Sequence, residues 1–81
     1  MSIETRLKEI ICTIKEELNV EDIDSDKDLI DDYNMDSMDM LQFIAELEEA
    51  FQIELEDDEL DAKIIAHIPQ IVKVIERKVG C

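Results

Sequence analysis

Bases are scarce in this sequence: 8 Lys and Arg stand against 23 Asp and Glu in 81 residues, a formal charge of -15. A nucleic-acid partner is excluded at the outset, because phosphate contacts need a basic face. There is one histidine, His67, and no acid, base and nucleophile grouped as a hydrolytic enzyme needs. His67 reads as a boundary residue before the last helix, and Tyr33 as a loop anchor. The two cysteines, Cys12 and Cys81, lack metal-ligand spacing and are too few for the disulfide framework of a small secreted domain. They read as free thiols. No apolar run approaches the ~20 residues of a membrane span, and no basic-then-apolar start marks a leader. A cytoplasmic protein with no membrane partner is expected. With one glycine and one proline there is no flexible linker, and no internal repeat appears.

What is present is helical periodicity. High net charge is a mark of disorder, but 46% of the residues are apolar and they recur at helical spacing. Residues 1–81 therefore read as one all-α domain. The first helix is expected from Ser2, a suitable N-cap, to about Leu18, with Ile3, Leu7, Ile10, Ile11, Ile14 and Leu18 on one face and Asn19 as its stop. From Val20 to Asp36 the pattern fails. This long Asp-rich loop should anchor itself through Val20, Ile23, Leu29, Ile30 and Tyr33 and turn its acids to water. The second helix is expected over Ser37–Phe51, with Met40, Phe43, Ile44, Leu47 and Phe51 facing the core. Asp36 suits its N-cap, with Asp39 reaching back as the capping-box acid. A short helix should start near Asp57 and cover Asp58 to Ile65. The last is expected from Ile68 to Val79. Pro69 suits its first turn, Ile68, Ile71, Val72, Ile75 and Val79 form its buried face, and Gly80 stops it.

On the second helix a further apolar strip, Met38, Leu41 and Ala45, lies outside the core face, beside Ser37, Gln42, Glu48 and Glu49. An apolar centre with a charged rim suits a partner surface, unless the long loop covers it. Asp22, Asp24, Asp26 and Asp28 alternate like the start of a calcium loop. Such a loop needs glycine sixth and glutamate twelfth, where Lys27 and Tyr33 stand, so no metal site is expected.

The stretch "LIDDYNMDSMDMLQFIAELEEAFQIELEDDEL", with Asp36-Ser37-Met38 heading an amphipathic helix, resembles the acyl carrier protein family, and helix spacing and chain length extend the likeness to nearly the whole sequence. The resemblance implies a small bundle of three main helices and one short one, with a long loop between the first and second. It implies no catalysis by the chain itself. Ser37 would be esterified by 4′-phosphopantetheine, donated from coenzyme A by a separate phosphopantetheinyl transferase, with Asp36 as the helix cap beside it. Acyl groups would ride as thioesters on this arm. Acyl-loading, condensing and modifying enzymes with basic docking patches would meet Asp36, Met38, Asp39, Leu41, Gln42, Ala45, Glu48, Glu49 and Asp57 of a monomeric carrier. Met40, Phe43, Ile44, Leu47, Ile64, Ile65 and Ile71 are candidates to surround a buried acyl chain, although Phe43 and Phe51 are bulky enough to fill the space.

Departures from the family pattern bear on the pathway. Asn34 stands where glycine is frequent, and asparagine is the next most tolerant of left-handed backbone angles. Met38 replaces the commoner leucine, Gln42 stands where fatty-acid carriers often have an acid, and no Thr-Val step precedes the last helix. Fatty acid, polyketide, nonribosomal peptide and specialised lipid synthesis all stay open. The alternative is a small acidic interaction domain without a prosthetic group.

Self-repulsion of this charge destabilises the compact state. Raising ionic strength from about 0.01 M to about 0.15 M shortens the Debye length from about 30 Å to about 8 Å. The melting temperature should therefore rise with salt or divalent cations; a thermal melt that does not move between these conditions contradicts this.

Overall fold

Ser2 opens the first helix: its hydroxyl accepts the Thr5 amide at 3.1 Å, and α1 runs Ile3–Ile14. In a computed structural model describing residues 2–79, three more helices follow: α2 (Ser37–Phe51), α3 (Ala62–Ile65) and α4 (Ile68–Lys78). Single 3₁₀ turns lie at Val20–Asp22 and Asp57–Glu59, and no strand occurs among the described residues. The radius of gyration is 11.5 Å, against about 12 Å expected for a folded chain of this length and about 28 Å for an unfolded one.

α1 is shorter than its apolar spacing implies, ending at Ile14 rather than near Leu18. Glu16 and Glu17 follow the C-cap Lys15, and acids at a C-terminus oppose the helix dipole. Lys15 leaves helical angles (φ -106°, ψ 86°). The Leu18 amide then bonds the Lys15 carbonyl at 3.0 Å, and Leu18 packs against the core from the following turn.

The loop between α1 and α2 is anchored much as expected, with one exchange. Ile23 and Leu29 are buried and Tyr33 half-buried. Tyr33 Oη accepts the Asp24 amide at 2.6 Å and donates to the Asp22 carbonyl at 3.3 Å. Ile30, expected as an anchor, is exposed, and Met35 is buried in its place. The Asp28 carboxylate accepts the Ile30 and Asp31 amides, and the Asp28 carbonyl accepts that of Asp32, which forms a helical turn with Leu29 inward and Ile30 outward. Asn34 then takes a left-handed conformation (φ 57°) and redirects the chain so that Met35 enters the core. The Leu29 amide bonds the Ala66 carbonyl at 2.8 Å, tying this loop to the α3–α4 junction.

α2 matches its expected span. It closes at Gln52, a left-handed C-cap (φ 54°, ψ 51°). Both the Gln52 and Ile53 amides reach the Glu48 carbonyl, the bonding of a Schellman-type ending. The Glu48 carboxylate accepts the Leu55 amide at 2.8 Å, so one residue shapes the whole exit from the helix.

The single short helix expected over Asp58–Ile65 is instead a 3₁₀ turn and a separate α3. Asp61 divides them: its carbonyl accepts the Ile64 and Ile65 amides and its carboxylate that of Lys63, the pattern of a fresh helix start. α4 ends one residue earlier than expected, at Lys78, with Pro69 in its first turn. Its buried residues are Ile68, Ile71, Val74 and Ile75; Val72 is half-buried and Val79 exposed. Val74, left out of the expected face, lies three residues after Ile71 at helical spacing and is buried on the flank of α4 that packs against α3. Gly80, the expected stop, and Cys81 lie outside the described residues.

α1 packs against both α2 and α4. Leu7, Ile11, Leu29, Phe43, Leu47, Ile68 and Ile75 have no exposed surface, and no polar or charged residue is buried among the described residues. Cys12 is a free, half-buried thiol. Burial, with the Asp22 and Glu9 charges, pushes it above the usual thiol range, which disfavours the reactive thiolate.

A left-handed non-glycine residue is strained by roughly 1–2 kcal/mol. Gln52→Gly should therefore stabilise the fold by about 0.5–1 kcal/mol. Asn34→Val should destabilise it by at least about 1 kcal/mol, and Asn34→Gly should not. Urea unfolding checks all three; a stabilising Asn34→Val excludes the left-handed turn.

Candidate functional site

The first turn of α2 is built by two carboxylates. Asp36 Oδ1 accepts the Asp39 amide at 2.9 Å, and Asp39 Oδ2 accepts the Asp36 amide at 3.3 Å. The reciprocal pair fixes the helix start at Ser37, the first residue with helical bonding. Ser37 is exposed, and its hydroxyl has no hydrogen-bond partner among the described residues. The Ser37 and Met38 amides also have no acceptor among the described residues, and they lie at the positive end of the helix dipole. Met35 is buried directly before this turn, so the segment carrying Ser37 is held from below.

Lys15 adds a cation to the same turn. Its Nζ lies 3.0 Å from Asp39 Oδ2, and the two side chains are only 18% and 23% exposed. The hydrogen bond from Lys15 holds the Asp39 carboxyl below the usual carboxylate range, helped by the Asp36 amide and opposed by partial burial. The same bond raises Lys15 above the usual ammonium range.

A groove of about 570 Å³ opens beside Ser37. Its lining is Ile30, Met35, Met40, Leu41, Ile44, Leu60 and Ile65, with Asp36 and Ser37 as its polar members. Of the residues expected around an acyl chain, the structure brings Met40, Ile44 and Ile65 together here. Phe43, Leu47 and Ile71 lie instead in the closed core. Ile64 faces a different depression, with Lys73, Val74 and Arg77. Sequence reasoning missed Ile30, Met35 and Leu60, and had placed Leu41 only on the partner surface. The alternation around Asn34 is the one signal for Met35. Nothing local marks Leu60, which reaches the groove through the break between the 3₁₀ turn and α3.

The expected docking residues separate into two groups. Met38 and Leu41 are 72% and 62% exposed, and Ala45 is also exposed, so the long loop does not cover the strip. Asp36, Gln42, Glu49 and Asp57 are exposed as well. Asp39 and Glu48 are half-buried and engaged within the chain, by Lys15 and by the Leu55 amide. His67 is the half-exposed N-cap of α4, with Nε2 3.4 Å from Asp28 Oδ2.

The comparisons accord with this geometry. The phosphopantetheine attachment site family matches residues 5–76. An acyl carrier protein of Desulforapulum autotrophicum is 32% identical over 96% of this chain and 99% of its own. One of Prochlorococcus marinus is 37% identical over 99% of this chain and 100% of its own. One of Solidesulfovibrio magneticus is 33% identical over 99% of both. The chain belongs to the acyl carrier protein family. Its members are carriers rather than enzymes, and they work with phosphopantetheinyl transferase and biosynthetic enzymes generally. The prosthetic group is a covalently attached 4′-phosphopantetheine. The first turn of α2 fits such a group: an exposed hydroxyl for the ester, open amides for the phosphodiester oxygens, and an apolar groove alongside. No described helix is long and apolar enough to cross a membrane.

Because the folded-state pKa of Asp39 is depressed, its contribution to stability is present above the unfolded value of about 3.9 and is lost as pH falls through the lower folded value. Asp39→Asn should therefore melt below wild type at neutral pH, and the two curves should converge as pH drops below about 4. A gap that persists unchanged into acid places the effect outside the carboxylate's charge.

Proposed function

We propose that Ser37 Oγ is the atom esterified by 4′-phosphopantetheine, and that residues 1–81 act as a single monomeric carrier domain. The observation that carries this reading is the exposed Ser37 hydroxyl in the capped first turn of α2, beside an open apolar groove. On loading, the neutral hydroxyl becomes an anionic phosphodiester, for which the helix terminus and its open amides are favourable surroundings. The flexible arm supplies a terminal thiol, so cargo is held as a thioester and kept at high local concentration wherever the carrier docks.

Docking uses Met38, Leu41 and Ala45 as an apolar seat, with Asp36, Gln42, Glu49 and Asp57 at its rim, and Asp39 and Glu48 behind. Charged rims speed encounter more than they tighten binding, and each exposed ion pair contributes about 0–1 kcal/mol. A carrier must leave each enzyme, and weak rim contacts serve that.

The groove supports a hydrocarbon cargo. Apart from Asp36 and Ser37 its lining is aliphatic, so a chain oxygenated along its length would lose hydrogen bonds to water without replacement. This favours fatty acid or specialised lipid synthesis over polyketide or nonribosomal peptide synthesis.

Incubation with coenzyme A and a broad-specificity phosphopantetheinyl transferase should add the mass of one phosphopantetheine to the intact protein, and Ser37→Ala should abolish the gain. Modification that survives in Ser37→Ala assigns the site elsewhere. No gain in wild type returns the chain to an acidic interaction domain.

A further inference from the structure

Four Lys and Arg side chains are ion-paired among the described residues. Arg6–Glu9 and Lys8–Glu4 are neighbours along α1 at 3.7 and 3.8 Å, and Lys78 crosses from α4 to Glu59 at 2.8 Å. Lys15 is the one of the four that reaches the start of α2. It leaves the end of α1, crosses to α2, and ends 3.0 Å from the carboxylate two residues beyond Ser37. The capping bonds between Asp36 and Asp39 do not involve it, so the start of α2 does not require this ammonium.

We propose that Lys15 is a specificity-determining residue: it masks the charge of Asp39, so that an enzyme docking on α2 meets one acid without a paired cation at the first turn, the helix cap Asp36, rather than two. The inference rests on α2 being the docking face. Two carboxylates and one ammonium leave this turn a net charge of -1. Gln42, one turn on, is neutral and exposed. Glu49 and Asp57, assigned to the far end of this face, are exposed and lie in no ion pair among the described residues. The docking face is thus graded, weakly charged beside Ser37 and strongly charged beyond Ala45. The partner it fits has an apolar seat for Met38 and Leu41, few cations opposite Ser37, and its basic residues opposite the end of α2. An enzyme that concentrates cations opposite the first turn finds Asp39 already paired and leaves a cation of its own without a partner, which discriminates against it.

The test is steady-state loading of the full chain from coenzyme A by a broad-specificity phosphopantetheinyl transferase, with KM and kcat read separately for wild type, Lys15→Met, Lys15→Gln, Lys15→Arg, Asp39→Asn and Lys15→Met/Asp39→Asn. Unmasking one rim acid should lower KM about two- to fivefold in Lys15→Met and Lys15→Gln, with the change in KM rather than kcat. Lys15→Arg should restore the wild-type KM. Adding Lys15→Met to Asp39→Asn should give no further fall. Far-UV circular dichroism confirms that each variant is folded, and the two Lys15 variants that lack charge guard against a packing effect of one. An unchanged or higher KM in both, or an equal fall in the Asp39→Asn background, overturns the masking role. A wild-type chain that takes no phosphopantetheine overturns the attachment reading, and the inference with it.

Discussion

The reciprocal bonds between Asp36 and Asp39 set where α2 begins, and the rest of the site follows from that start. A helix beginning one turn earlier would carry the Ser37 amide into its own ladder and leave it no open amide. One beginning later would leave Ser37 in a loop, without the dipole behind it. Short side chains suit the task, because an aspartate at each end of the turn reaches an amide without surrendering much rotamer freedom. The burial of Met35 beneath this turn and the Leu29–Ala66 bond then hold the long loop so that it delivers Asp36 to the same place.

The chain reconciles a charge of -15 with a packed core by segregation. Among the described residues no polar or charged residue is buried as a whole, and the interior is apolar around Phe43. Acids that would otherwise repel one another are used as local acceptors. Asp28 organises the loop turn, Asp61 starts α3, and Glu48 ends α2 and directs the chain after it. Such bonds let a carboxylate satisfy backbone amides that helix ends and turns leave unpaired. The acidity is therefore structural over much of the surface, and the portion available for docking is smaller than the composition implies. Asp39 and Glu48 show this most clearly, since both were candidate contacts and both are already engaged.

Much of the fold was legible because long amphipathic helices advertise themselves. The span of α2, its cap, the capping-box acid and the stripe of Met40, Phe43 and Leu47 all follow from spacing. Asn34 was legible by its tolerance of positive φ. The errors share one origin: a local pattern was extended across a place where non-local packing or local electrostatics intervened. Leu18 keeps the helical phase of α1, but Glu16 and Glu17 sit against the dipole and the helix ends first. Ile30 and Met35 exchange roles because the Asp28 turn and the Asn34 reversal set which side chains point inward. The 3₁₀ turn and α3 read as one helix because Asp61, which divides them, does so through its own carbonyl and carboxylate bonds rather than through any break in apolar spacing.

The sequence by itself determined the all-helical class, the family, the start of α2 and the exposure of Ser37 at its head. These are properties of neighbours within a few residues, where capping, periodicity and charge act directly. Only the tertiary structure decided which apolar residues leave the core to line a groove beside that serine, and which acids remain unengaged. Both outcomes depend on residues far apart in the chain, Ile30 with Leu60 and Lys15 with Asp39. No local pattern encodes such pairings, because they arise when whole elements pack, and packing is decided by the sum of many weak contacts rather than by any one of them.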